Sequence, residues 1–125
     1  MRPLNPPTPA AYRNAPRQAE AWREGWTAGY HSAEAMRMEL PAYGAEIWTE
    51  NEGRIIYTPD NAADTLATLA HEAEANGRQY SPFEFTAAAF NRSRNPDALW
   101  EAYDAGVADG VATYIAAWTP PPPKA

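Results

Sequence analysis

Apolar and polar positions alternate with a helical period over most of the chain. In the first long stretch, Trp22, Trp26, Gly29, Ala33, Met36 and Leu40 recur at spacings of three and four, which places them on one seam of a helix. Near the end, Trp100, Tyr103, Val107, Val111, Tyr114 and Trp118 repeat the pattern. Between the two, the period changes. Glu46 to Glu50 and Arg54 to Thr58 are rich in Ile, Trp, Tyr and Thr, and Asn51-Glu52-Gly53 separates them. This predicts a small β-hairpin at 46–58. A lone hairpin is marginal in water, so it must lie on the helices or pair with another chain.

The helix starts are marked by proline after a residue that can cap. Thr58-Pro59, Ser81-Pro82 and Asn95-Pro96 each place a capping side chain before a residue suited to the first helical turn. Ser81 and Glu84 also form a capping box, and Asn14-Ala15-Pro16 is a looser version of the signal. Four helices are therefore expected, starting near 15, 59, 82 and 96. The predicted fold is mainly α, a compact bundle-like domain at 14–118 with the hairpin between helices 1 and 2. Residues 1–13 carry four prolines and 119–125 carry four in a row, so both are expected as extended, proline-rich, solvated tails.

Gly25 and Gly29, and again Gly106 and Gly110, are spaced as GxxxG beside the apolar seams. Each glycine inside a helix costs about 1 kcal/mol relative to alanine, so four of them need a compensating gain. Close approach of another helix supplies it. These glycines, with Trp22, Trp26, Trp100 and Tyr103, are expected to form a seam between the two helices or between copies in a homodimer. The alternative is a glycine-floored aromatic groove for a small ligand such as a nucleotide. A shift of 77 residues aligns Glu20–Gly29 with Asp97–Gly106, a loose similarity between the two helices.

Composition changes this picture only modestly. The formal charge is −6, and nine of the ten basic residues are Arg. An acidic balance has the wrong sign for broad attraction to nucleic acid or anionic lipid. Arg92 and Arg94 are the closest pair of cations, while Glu20, Glu24, Asp97, Glu101 and Asp104 form acidic strips. These seven residues are the candidate partner-binding positions. There is no cysteine, and no apolar run approaches the length of a membrane span. With no hydrophobic leader in the sequence, a cytoplasmic protein is expected.

His31 with Glu34 and His71 with Glu74 have i,i+3 spacing, but neither makes a zincin or di-iron motif, and both histidines are expected at the surface. No nucleotide-binding, nucleophile-elbow or calcium-loop pattern is present. No catalytic residue, metal or cofactor is assigned.

The segment Ser81-Pro82-Phe83-Glu84-Phe85-Thr86-Ala87, followed by Trp100-Glu101-Ala102-Tyr103-Asp104-Ala105-Gly106, resembles small accessory proteins of bacteriophages and prophages. That resemblance implies a phage-encoded, non-enzymatic protein in a bacterial cytoplasm. It would act by binding, for example by inhibiting a host defence or regulatory protein. A minor virion or assembly protein with proline-rich arms is the structural alternative.

Overall fold

A computed structural model describes residues 6–77 and 95–123. Helix α1 spans Pro16–Arg37, followed by strands β1 (Glu46–Thr49) and β2 (Gly53–Ile56). Helix α2 spans Ala62–Gly77 and helix α3 spans Pro96–Ala117. The described architecture is thus mainly helical, with three helices rather than four. The helix expected from residue 82 falls outside the described residues.

Local signals explain where the helices begin. The Thr58 hydroxyl accepts from Asn61 N–H at 3.3 Å, and Asn61 Oδ1 accepts from Thr58 N–H at 2.9 Å. This reciprocal cap opens a single 3-10 turn at Pro59–Asn61, which leads into α2. Asn95 Oδ1 caps α3 by accepting from Ala98 N–H at 3.3 Å. In the hairpin, Ile47 pairs with Ile55 and Trp48 with Arg54. The connector is Glu50-Asn51-Glu52, one residue earlier than expected, and Gly53 begins β2 with φ +71°. A three-residue loop closing on a left-handed residue favours glycine there, which explains the shift.

The core lies between α1 and α3, with α2 packed on both. Gly25 faces Tyr103 and Gly29 faces Val107, while Gly106 faces Trp22 and Gly110 faces Trp26. The two long helices therefore run parallel, and their glycine pairs interlock. The contacts are reciprocal when Gly25 is matched with Gly106 and Gly29 with Gly110, a shift of 81 residues. This replaces the shift of 77 suggested by residue similarity. The helices are matched one turn further along, because packing selects small residues against backbone rather than like against like.

The approach is close enough that a Cβ on any of the four glycines would overlap the facing carbonyl oxygen. The attached carbonyl carbons would lie only 2.8 to 2.9 Å from it. Such proximity favours Cα–H···O contacts and dense packing, which offset the conformational cost of glycine. Trp22 and Trp26 flank the seam, at 4% and 5% exposure. Trp22 also donates from Nε1 to Asp109 Oδ2 at 3.0 Å, tying α1 to α3 across 87 residues of sequence.

Both tails are held at the points where they are described. Thr8 accepts a hydrogen bond from Arg23 Nη2 at 2.8 Å, and Tyr12 packs against the core. At the other end, Tyr43 donates from its hydroxyl to the Pro121 carbonyl at 2.5 Å. Each tail thus makes one exposed side-chain hydrogen bond, to Arg23 of α1 and to Tyr43 of the connection that follows it, while Pro121, Pro122 and Pro123 stay exposed.

Candidate functional site

The candidate residues divide between the inside of the seam and the surface. Gly25, Gly29, Gly106, Gly110, Trp22, Trp26 and Tyr103 are buried between α1 and α3. Trp100 is half-buried and meets Tyr103 edge-on at a centroid distance of 5.6 Å. There is no open glycine-floored groove, since the facing helix covers the floor that a ligand would need. In this fold the four glycines are also spent within one chain, so they do not offer a seam to a second copy.

Glu20, Asp97, Glu101 and Asp104 are exposed, and Glu24 is half-buried. Glu24 and Asp104 both have interaction partners. Because α1 and α3 are parallel, all five acids occupy one end of the molecule, on the N-terminal halves of the two helices. Of the five, Asp97 lies in the first turn of α3, where its charge complements the helix dipole. Arg92 and Arg94 lie outside the described residues.

Neither histidine is buried. His31 Nδ1 lies 3.7 Å from Glu34 Oε1 at the surface, and His71 is exposed. Glu74 is 6% exposed and accepts from the Tyr103 hydroxyl at 3.1 Å, so it belongs to the α2–α3 contact. No group of three potential metal ligands occurs among the described residues. No described helix is long and apolar enough to cross a membrane.

The opposite end has a different character. Among the described residues, the connection from α1 to α2 carries the three most exposed large apolar side chains: Met38 at 75%, Trp48 at 71% and Ile56 at 43%. Trp48 and Ile56 alternate with inward residues on β1 and β2. The Arg54 Nε–Glu46 Oε2 pair, at 3.0 Å, joins the same strands. The hairpin is anchored from behind: Asn51 N–H donates to Glu72 and Asn76 Nδ2 donates to Glu50.

Below the hairpin lies a cavity of about 730 Å³. Leu40, Tyr43 and Tyr57 form one side, and Trp118 with the prolines of the tail form the other. A volume of that size falls in the range of small-molecule and peptide sites. The Tyr43 and Tyr57 rings pack at 5.1 Å with a tilt of 32°. Tyr57 is 2% exposed, and its hydroxyl has no hydrogen-bond partner among the described residues. Burial, reinforced by Tyr43, raises its pKa above the ordinary value of 10.0. The neutral phenol is thus the favoured form in the fold.

Sequence reasoning places Leu40 and Trp118 on the helix seams and the prolines in a tail, and does not single out Tyr43 and Tyr57. The signal available was indirect: two tyrosines flank the hairpin, and a tetraproline run follows Trp118. Nothing in their spacing shows that they meet, because Tyr43 and Pro121 are 78 residues apart. No protein-family model matches the chain, and no curated protein or solved structure matches it.

Proposed function

We propose that this chain acts by binding a protein partner, and that the connection between α1 and α2 carries the contact. The supporting observation is the placement of Met38, Trp48 and Ile56. All three large apolar side chains are exposed on the same connection, residues 38–61, while the seam aromatics Trp22, Trp26 and Tyr103 are buried. Exposed aromatic and aliphatic residues beside charged pairs such as Arg54–Glu46 suit a protein interface with an apolar centre and a polar rim.

The resemblance to phage accessory proteins supplies the setting for this reading: a bacterial host protein as target, with inhibition as the consequence. Affinity capture from a bacterial lysate tests it when the wild-type chain is run beside Trp48→Ala and Met38→Ala. One host protein retained by the wild type and lost from both folded variants is the expected result. Equal retention by all three chains would remove the hairpin face from the account.

A further inference from the structure

We infer that the cavity at the base of the hairpin is a recognition site for a proline-rich, extended segment of a partner protein, partly occupied in this chain by its own tetraproline tail. The inference rests on the binding reading above and names one recognition chemistry within it. A polyproline segment has no N–H donors and no internal hydrogen bonds, so each of its carbonyls is an acceptor left to solvent. Aromatic side chains that carry a donor suit it well. They supply an apolar face for the pyrrolidine rings and a hydroxyl for the carbonyl.

The cavity wall has this composition, and the tail shows it in use. Tyr43 donates to the Pro121 carbonyl, its ring packs on Tyr57, and Trp118 enters the tail with extended backbone (φ −91°, ψ 133°). Tyr57 lines the same wall and holds the Tyr43 ring in place, its own hydroxyl being buried behind the surface. The wall has further capacity. About 730 Å³ stays open between the tyrosine wall and the prolines. The tail is therefore a partial occupant, fixed to this wall by one hydrogen bond and exposed at Pro121, Pro122 and Pro123.

The chain's other proline segment is already engaged at the opposite end of α1, where Thr8 meets Arg23 and Tyr12 joins the core. Among the described residues, a second copy offers this wall the same tetraproline tail, which already has its place within its own chain. This favours a different protein as the source of the occupant.

The test uses the full chain, as wild type and with Pro120→Ser, Pro121→Ser, Pro122→Ser and Pro123→Ser combined. Each is titrated with a peptide copying residues 118–125, and with a control peptide whose prolines are serines. Binding is read from the backbone amide signals of Tyr43, Gly44 and Tyr57. The proline peptide is expected to move those signals and the serine peptide to leave them in place. Affinity should rise roughly tenfold in the tail variant, because the competing internal occupant is gone.

Adding Tyr43→Phe to the tail variant removes one donor at a solvent-reachable ring. It should weaken the peptide about three- to tenfold, the value of one hydrogen bond. Unmoved signals in the folded tail variant, equal binding of the two peptides, or no loss with Tyr43→Phe would each overturn the proposal. Tail-dependent dimerisation of the wild-type chain in sedimentation would also overturn it, by making a second copy the occupant. Peptide binding that fails while Trp48-dependent capture persists would sink this inference and leave the broader binding reading intact.

Discussion

The two ends of α1 are built by opposite rules. Around Gly25 and Gly29, helix meets helix with backbone against backbone, and even one added carbon has nowhere to go. Past Arg37, the chain turns into a hairpin with Trp48 and Ile56 outward, over a cavity whose far wall is the proline tail. Close packing is concentrated in the first region and exposed apolar surface in the second. The contrast shows how a small chain can separate what holds it together from what it offers to others. The seam uses residues that no partner can reach, while the apolar residues at the other end contribute little to the core.

Substitutions can break this comparison, and the seam should respond most. Gly106→Ala would gain about 1 kcal/mol of helix propensity. It must also displace the Trp22 carbonyl and neighbouring backbone, an overpacking cost of about 1–3 kcal/mol or more when the obstacle cannot rotate away. A net loss of roughly 2 kcal/mol is expected in urea denaturation. Asp109→Ala comes next. It leaves the buried Trp22 indole N–H without its acceptor and should cost about 1–2 kcal/mol by the same measurement.

The same Gly→Ala change outside the seam should have the opposite sign. A Cβ at Gly77 meets nothing within 4 Å among the described residues, and Gly77 lies at the end of α2. Gly77→Ala is expected to stabilise by about 0.5–1 kcal/mol, through lower unfolded-state entropy and better helix propensity. Comparable losses at Gly77 and Gly106 would mean that seam packing is not what makes the latter special.

Titration sharpens the contrast from the cavity side. Burial raises the folded-state pKa of Tyr57 above 10.0, and also that of Tyr114, which the neighbouring Arg37 pulls the other way. The neutral phenols are favoured in the fold, so this contribution is fully present below pH 10 and is lost as pH rises through the raised values. Thermal unfolding followed across pH 8 to 11.5 should show stability falling above about pH 10. Tyr57→Phe should flatten that fall and leave neutral-pH stability nearly unchanged, since its hydroxyl has no partner among the described residues. The smallest stability effects belong to Trp48→Ala and Met38→Ala, within about 0.5 kcal/mol for exposed positions. Their expected effect is on capture of a partner.

How legible each region was in the sequence follows from the range of its contacts. The capped starts at Thr58 and Asn95 were readable because the interacting atoms are three residues apart. The hairpin was readable from its composition, although its loop begins one residue earlier, at Glu50, and its second strand ends at Ile56 rather than Thr58. The four glycines stand out by spacing, but their pairing register does not. Similarity between the helices favours a shift of 77, whereas reciprocal packing requires Gly25 with Gly106. The cavity was least visible. Tyr43, Tyr57 and Pro121 are unremarkable one at a time, and become a site only when the fold brings a distant tail across the base of the hairpin.

The central claim is that the glycine seam is closed within a single chain by two parallel helices. A sample mixed from isotope-labelled and unlabelled chains tests it most directly, through filtered nuclear Overhauser spectra at the glycine Hα protons. Strong cross-peaks within one chain are expected from Gly25 to Tyr103 and from Gly110 to Trp26. Cross-peaks found only between chains, or a pattern placing Gly25 opposite Gly110, would contradict it.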